Sequence, residues 1–259
     1  MNGRREGYFP GRRLECTMIV IDAREGVSGD MLLAAMLGLL SADARASALV
    51  SLTNACDKRG LTFHLSEIED CGDAGLGITY LTNVTSAPEA SREECISRLA
   101  ELNSELGSAS SVGRRILDHI FQAEAEAHGI AVEQVHLHEI GRTQAMVNIA
   151  GIGLAESLLD NEGADGYRSS VITTGGGWVV VGHGAIRVPA PASAILLRGL
   201  RHQSGDSPGE RATPTGIAAI KALAEAQVDP VPDSYKRRSV GFGTKRFAGR
   251  LGRTSLLWL

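Results

Sequence analysis

Residues 18–40, MIVIDAREGVSGDMLLAAMLGLL, decide the fold of this chain. The apolar run 18–22 has the length of a short buried strand, and from Ser28 to Leu40 apolar residues recur at helical spacing. A turn that contains Gly26 and Gly29 joins the two segments. A strand that feeds a glycine loop and a helix is a typical opening unit of an α/β protein. In open α/β sheets, ligands collect where strands end.

The same reasoning extends over the rest of the chain. Patterns of apolar residues predict helices over 43–58, 108–128 and 143–159, and strands over 61–69, 77–85, 168–173 and 178–181. We therefore predict an α/β fold, with a mixed α+β arrangement as the alternative: an open sheet with helices and glycine-rich ligand-binding loops. Residues 1–16 are predicted to be a disordered lead. Residues 17–259 are predicted to form one domain, with subdomains 17–107 and 108–259 as the alternative.

The composition narrows the classes of function. The 259 residues are 43% hydrophobic and 22% charged, which is ordinary for a globular domain. A net charge of −4 argues against nucleic acid or an anionic membrane as the partner. Four single cysteines favour a reducing cytoplasm. The sequence contains neither a G-x-S-x-G nucleophile elbow nor a Walker phosphate loop nor a Cys-x-x-Cys pair.

The segment VHLHEIG, residues 135–141, concentrates potential ligands and proton carriers. In an extended segment alternate side chains share a face, so His136 and His138 are expected to point the same way. Glu139 follows them as an orienting or catalytic carboxylate. We predict that all three are catalytic and that all three can ligate a metal. Histidines that simply pack near a helix end remain the alternative.

The loop after the first strand carries a second candidate group. Asp22 closes an apolar strand, so its carboxylate is expected to be paired or bound. Ser28 suits an N-cap, and Asp30 suits the first turn of a helix. We predict Asp22 and Asp30 as metal ligands and Ser28 as a substrate ligand, with plain helix capping as the alternative for the last two.

Three further motifs are rich in glycine. In GGGWVVVGHGAIRVPAPAS, residues 175–193, His183 lies between two glycines and is predicted to be catalytic, although an ordinary turn is the alternative. In ATPTGIAAI, residues 212–220, Thr213 is a predicted N-cap, and Thr213 and Thr215 are predicted to bind an anionic substrate at the helix start. In VGFGTKRFAGRLGR, residues 240–253, Lys245 is predicted to bind phosphate, with a solvated basic strand face as the alternative.

Together and in this order, the five segments resemble the LarC family, the nickel-insertion proteins that mature the nickel-pincer nucleotide cofactor of lactate racemase. The resemblance runs from about Met18 to Trp258. It implies a cytoplasmic, nickel chelatase-like lyase that inserts Ni²⁺ into a pyridinium bisthiocarboxylate mononucleotide, with CTP and a divalent cation as helpers. The positions that match the family's motifs are Asp22, Ser28, Asp30, His136, His138, Glu139, His183, Glu210 and Thr213.

The chain also departs from the family pattern. The stretch 85–99, TSAPEASREECISRL, contains no histidine where the family carries a histidine-rich run. Gln144 and Asn148, one helical turn apart, replace acidic residues. Arg142 and Arg187 replace small or proline residues, and their charge disfavours a cation nearby. The family's C-terminal domain has no counterpart here, so a separate partner chain is expected to supply it.

Two alternatives to nickel insertion follow from these departures. In the first, the scaffold is a metal-independent acid/base enzyme of specialised metabolism, in which His136, His138 or Glu139 acts on an anionic small molecule held by Arg142 or Arg187. Cyclisation, elimination and hydrolysis are the reaction types considered. In the second, the chain is a non-enzymatic binding paralogue. Each interpretation expects a small anionic or nucleotide-like ligand, and a homo-oligomer is a further expectation.

Overall fold

The computed structural model describes residues 17–82, 89–137, 142–181 and 184–259. The strands are β1 (Met18–Asp22), β2 (Leu61–Asp70), β3 (Asp73–Thr82), β4 (Ala90–Ser91), β5 (His136–Leu137), β6 (Gly166–Ser169), β7 (Ile172–Thr173), β8 (Gly175–Gly176), β9 (Trp178–Val181), β10 (Gly184–Arg187), β11 (His202–Gln203), β12 (Gly209–Glu210), β13 (Ala224–Gln227), β14 (Arg237–Phe247) and β15 (Arg250–Trp258). The helices are α1 (Gly29–Leu39), α2 (Ala42–Asp57), α3 (Arg92–Leu106), α4 (Val112–His128), α5 (Thr143–Asn161), α6 (Pro191–Leu196) and α7 (Pro214–Leu223), with a 3₁₀ turn at Val132–Gln134.

Seven strands form one mixed sheet in the order β13-β6-β1-β15-β14-β3-β2. β1 runs parallel to β6 and antiparallel to β15, and β13 runs parallel to β6. On the other side, β14 pairs antiparallel with β15 and parallel with β3, which forms an antiparallel pair with β2. The predicted α/β class is confirmed, with strands from both ends of the chain in the same sheet.

Helix α1 is apolar on all sides because it is covered on all sides. Leu32, Leu33 and Met36 are fully buried. On the sheet side, a Cβ built on Gly241 of β14 would lie only 1.8 Å from the Met31 carbonyl oxygen. Only glycine permits this approach of helix to strand. On the opposite side, a Cβ on Gly151 of α5 would lie 2.8 Å from the Leu33 side chain, so α1 is packed between the sheet and α5.

Several predicted elements differ from the structure. Helix α3 was not predicted, because its polar first turn reads as a loop; a capping box between Ser91 and Glu94 starts it instead. Helix α4 begins at Val112 rather than at residue 108. The strand predicted over 77–85 begins at Asp73, and residues 83–85 lie outside the described part. The strand predicted over 168–173 is two strands, β6 and β7.

The structure also bears on whether a helix could cross a membrane and on the predicted lead and domain bounds. No helix among the described residues has the length and apolar character that crossing a membrane requires. The predicted lead 1–16 lies outside the described residues, and the choice between one domain over 17–259 and subdomains 17–107 and 108–259 stays a prediction.

Candidate functional site

The starts of α1 and α7 touch each other. A Cβ built on Gly29 would lie 3.0 Å from the Thr215 Cγ2 atom, and one on Gly216 would lie 2.4 Å from the Val27 carbonyl oxygen. Backbone hydrogen bonds hold the two segments together. The Val27 amide donates to the Arg211 carbonyl, and the Thr213 amide donates to the Val27 carbonyl, both at 2.9 Å. The glycine loop after β1 and the start of α7 are therefore one unit.

Backbone amides are available at this junction. The first hydrogen bond from inside α1 runs from the Leu32 amide to the Ser28 carbonyl, so the amides of Gly29, Asp30 and Met31 have no intrahelical acceptor. At α7, the predicted cap is confirmed: the Thr213 hydroxyl accepts from the Gly216 amide at 3.3 Å, and Pro214 is the first helical residue. Two helix starts side by side favour an anion at this edge.

Ser28 and Asp30 form a pair at the start of α1. Ser28 occupies the N-cap position, but its side chain caps no backbone amide, which corrects that part of the prediction. Its hydroxyl donates to Asp30 Oδ1 at 2.5 Å, a charge-assisted hydrogen bond to the carboxylate in the first turn. Thr215 is buried and presents its methyl group toward Gly29. The result is an oriented carboxylate–hydroxyl pair beside the free amides.

Asp22, at the end of β1, has a partner two residues away. Its two carboxylate oxygens accept from Nε and Nη2 of Arg24, each at 2.8 Å, and this pairing raises the pKa of Arg24. The expectation that Asp22 is paired or bound is thus met within the loop. Its predicted role as a metal ligand stays a prediction, and the positive charge of Arg24 at this place disfavours a cation.

Arg211 is a buried charge that the sequence reasoning missed. Its guanidinium lies 4.5 Å from the centre of the Phe247 ring, and it faces Glu25 at 3.4 Å and Asp206 at 3.1 Å. Because Arg211 is buried, these contacts fix the segment before α7 against both the loop after β1 and the turn between β14 and β15. Its position directly before the A-T-P-T-G motif was the feature of the sequence that could have indicated a role for Arg211.

The histidine segment is described only in part. His136 lies in β5 opposite Ser91 of β4, with its side chain exposed and Leu137 buried. The amide of Ser91 lowers the pKa of the nearby Glu94, and His136 contributes a smaller effect of the same sign. His138 and Glu139 lie outside the described residues, as does His183. The predicted grouping of His138 and Glu139 with His136, and the predicted catalytic role of His183, therefore stay predictions.

The predicted cationic residues lie on three different elements. Arg142 is exposed at the N-cap position of α5. Arg187 is exposed on β10, opposite Trp178 of β9. Lys245 is exposed on β14, and the neighbouring Arg246 pairs with Asp70 at 2.8 Å, which agrees with the alternative of a basic strand face.

The strand that carries Lys245 passes the start of α1. A Cβ on Gly243, two residues earlier on β14, would lie 2.9 Å from the Met31 sulfur in the first turn of α1. Among the described residues, no three His, Cys, Asp or Glu side chains are grouped as a metal would need. A surface cavity of about 590 Å³ near His119 and Lys221 contains none of the predicted site residues.

Comparison of the sequence with known proteins finds a family model and several relatives that it resembles. The family model described as "Nickel insertion protein" matches residues 19–254. A protein of Rhodopirellula baltica named as a nickel insertion protein is 33% identical over 88% of this chain and 56% of its own length. One of Pelobacter propionicus with the same description is 35% identical over 80% of this chain and 51% of its own.

A third relative has a more specific name. The pyridinium-3,5-bisthiocarboxylic acid mononucleotide nickel insertion protein of Staphylococcus saprophyticus is 33% identical over 88% of this chain and 56% of its own length. The chain thus spans about half the length of these curated relatives. No solved structure matches it.

Proposed function

We propose that this chain, which belongs to the nickel insertion protein family, binds a pyridinium bisthiocarboxylic acid mononucleotide and takes part in inserting nickel into it. The observation that carries the proposal is the junction of the α1 and α7 starts at Gly29 and Gly216. Such a mononucleotide carries a phosphate and two thiocarboxylates, all anionic, and paired helix starts with free amides suit that charge.

We assign the binding roles from the geometry of the junction and from the sequence motifs. The amides at the start of α1 bind the phosphate, and Ser28, Thr213 and Thr215 shape the same surface. Thr215 acts through its backbone amide, because its side chain is packed against Gly29. Arg142, Arg187 and Lys245 supply the exposed positive charges that attract the thiocarboxylates.

Nickel is the second substrate. Imidazole nitrogens suit nickel, and carboxylates suit a hard accompanying cation. We assign nickel delivery to His136, His138, Glu139 and His183, which also serve as the catalytic proton carriers. Asp30, already oriented by Ser28, and Asp22, once released by Arg24, are assigned to the accompanying divalent cation.

The proposal concerns what residues 19–254 do, because the relatives are longer than this chain. Within it, the protein acts in the cytoplasm, and CTP and a separate partner chain are further participants. The acid/base alternative makes the opposite claim about the same residues, since it needs His136, His138 and Glu139 but no metal.

A titration of the full chain with Ni²⁺ tests the proposal. We expect binding far tighter than roughly millimolar, a value that corresponds to about −4 kcal/mol. His136→Ala should weaken it by about tenfold or more, a loss of roughly 1.4 kcal/mol. The matched control is His64→Ala, an exposed histidine on the edge strand β2, which should leave the affinity unchanged.

Two results would contradict this assignment. Equal weakening by both histidine variants would mean that nickel binds surface imidazoles without a site. Absence of nickel binding by the parent protein, together with turnover of an anionic substrate that survives a chelator, would establish the acid/base alternative instead.

A further inference from the structure

We infer that Tyr80 and Asn148 form a specificity-determining pair of this site. Tyr80 holds the Asn148 amide so that its nitrogen presents a neutral hydrogen-bond donor to an anionic group of the ligand at the start of α1. The inference rests on the proposed function, because it specifies what that same site selects. It assigns Asn148 to ligand contact and Tyr80 to positioning.

The orientation of the amide follows from one short contact. The Tyr80 hydroxyl lies 2.6 Å from Asn148 Oδ1. This distance suits an O–H···O hydrogen bond and is short for N–H···O, so the tyrosine donates and the amide oxygen accepts. Burial raises the pKa of Tyr80 well above its usual value, and the hydroxyl therefore keeps its proton throughout the working range of pH. The amide cannot turn over without losing this bond.

With the oxygen engaged, the amide nitrogen faces away from Tyr80. Nδ2 lies 3.7 Å from the position that a Cβ would occupy on Gly29, the first residue of α1. Asn148 is only 9% exposed, and no described residue accepts a hydrogen bond from Nδ2. Nδ2 itself is not fully enclosed, so a ligand oxygen can reach it, and a donor that is already held in one orientation favours such a contact.

The packing of α5 on α1 puts this donor at the helix junction. Gly29 lies beside Asn148, and Leu33 lies beside Gly151, so the two helices run in the same direction. At about 1.5 Å per residue, α5 begins roughly 7 Å ahead of α1. Gln144 lies one turn before Asn148 on the same face of α5. The Asn148 nitrogen therefore lies level with the free amides of α1 and adds to them.

The charge at position 148 decides what the junction attracts. Asp30 already places one carboxylate at the start of α1, and its field is felt at Tyr80. A second carboxylate at 148 would be held by the same tyrosine and would draw a cation between the two. The neutral Asn148 side chain adds no negative charge, so the backbone amides of α1 can bind an anion, while Asp30 can still face a cation.

The test compares phosphate and nickel binding by calorimetry in three variants of the full chain. Asn148→Asp is isosteric and should weaken inorganic phosphate binding by about tenfold or more, the loss expected for a hydrogen bond to a charged group. The same variant should bind Ni²⁺ more tightly. Tyr80→Phe should weaken phosphate binding less, by roughly threefold, because the amide stays but is no longer fixed.

The control is Asn161→Asp, the same change at the exposed far end of α5, roughly 20 Å away, which should alter neither affinity. Melting temperatures identify any variant that fails to fold, and if Asn148→Asp does so, Tyr80→Phe decides. A merely structural pair would lower the melting temperature and leave both affinities unchanged, which overturns the inference.

The outcomes separate the two proposals. If the parent binds phosphate and Asn148→Asp binds it equally well, the inference fails while the proposed function stands. If Asn148→Asp weakens phosphate binding in a parent that binds no nickel, the pair is confirmed and the proposed function fails. A parent that binds no phosphate overturns the inference.

Discussion

The contact between the start of α7 and the loop after β1 predicts an unusual effect of Gly216→Ala. Within a helix this change normally stabilises, by about 1 kcal/mol, because alanine has the better helix propensity. Here the new Cβ would lie 2.4 Å from the Val27 carbonyl oxygen and 2.9 Å from the Ser28 Cα atom. Both neighbours are backbone atoms, so no change of rotamer relieves the overlap.

The magnitude follows from these two effects. Overpacking costs about 1–3 kcal/mol, and the upper end applies because the backbone itself must shift. Subtracting the gain of about 1 kcal/mol leaves a net loss of about 2 kcal/mol. For a chain of this size that corresponds to a fall in Tm of about 4–8 °C. Because the displaced atoms belong to the proposed anion site, phosphate affinity should fall as well.

Thermal unfolding followed by circular dichroism measures the first effect, and calorimetry with phosphate measures the second. Gly153→Ala is the matched control: its Cβ would lie 3.4 Å from the Ser110 side chain, an ordinary contact, so it should raise stability by up to about 1 kcal/mol. If Gly216→Ala is as stable as Gly153→Ala, the two backbones do not touch, and the junction on which the site rests is refuted.

Three further predictions concern other parts of the molecule. Ser91→Ala should remove the capping box of α3 at a cost of about 1 kcal/mol, measured as a fall in Tm of about 2–4 °C; an unchanged Tm would deny the cap. Alkylation at pH 8 followed by peptide mass spectrometry should label the exposed Cys71 but not Cys56, because burial raises the pKa of the Cys56 thiol to about 11; equal labelling would contradict that burial. The Leu251 amide, and after it Arg246, lower the pKa of Asp70, so this carboxylate stabilises the fold above its unfolded pKa of about 3.9 and the effect is lost as the pH falls through the lower folded value. Urea titrations should therefore find Asp70→Asn less stable than the parent at pH 7, with the difference vanishing toward pH 2, and a difference that is constant with pH would exclude this cause.

The sequence predicted those helices and strands whose own residues show a clear pattern of apolar positions. β1 and α1 were found almost at their predicted bounds, because an apolar run and a helical period are both contained in 23 residues. Helix α3 was missed because its stability comes from a cap and one buried face, while its first turn is polar. At the break between β6 and β7, the Ser170 hydroxyl accepts from the Ala23 amide on a distant segment. No local pattern contains that partner.

The residues of the candidate site also differ in how far the sequence could predict their roles. The N-cap role of Thr213 was predicted correctly, because capping is a property of adjacent residues. Ser28 was assigned the same task, but its oxygen accepts from no backbone amide, and its hydroxyl donates to Asp30 two residues away. Tyr80 and Arg211 gave no comparable signal, because their importance lies in partners 68 and 186 positions distant. Such contacts follow from the topology of the sheet rather than from spacing.

That topology also explains why separate motifs meet at one edge. β1, β6 and β13 are adjacent and parallel, so their carboxyl ends share one edge of the sheet. α1 leaves the end of β1, whereas α5 and α7 lead into the beginnings of β6 and β13. All three helices must therefore run opposite to these strands and begin at that edge. A site between the three helices is therefore surrounded by helix starts, and their backbone amides are hydrogen-bond donors whatever the side chains are. What the side chains then decide is the balance of charge: Asn148, near Gly29, adds no charge, and Asp30 is the carboxylate in the first turn of α1.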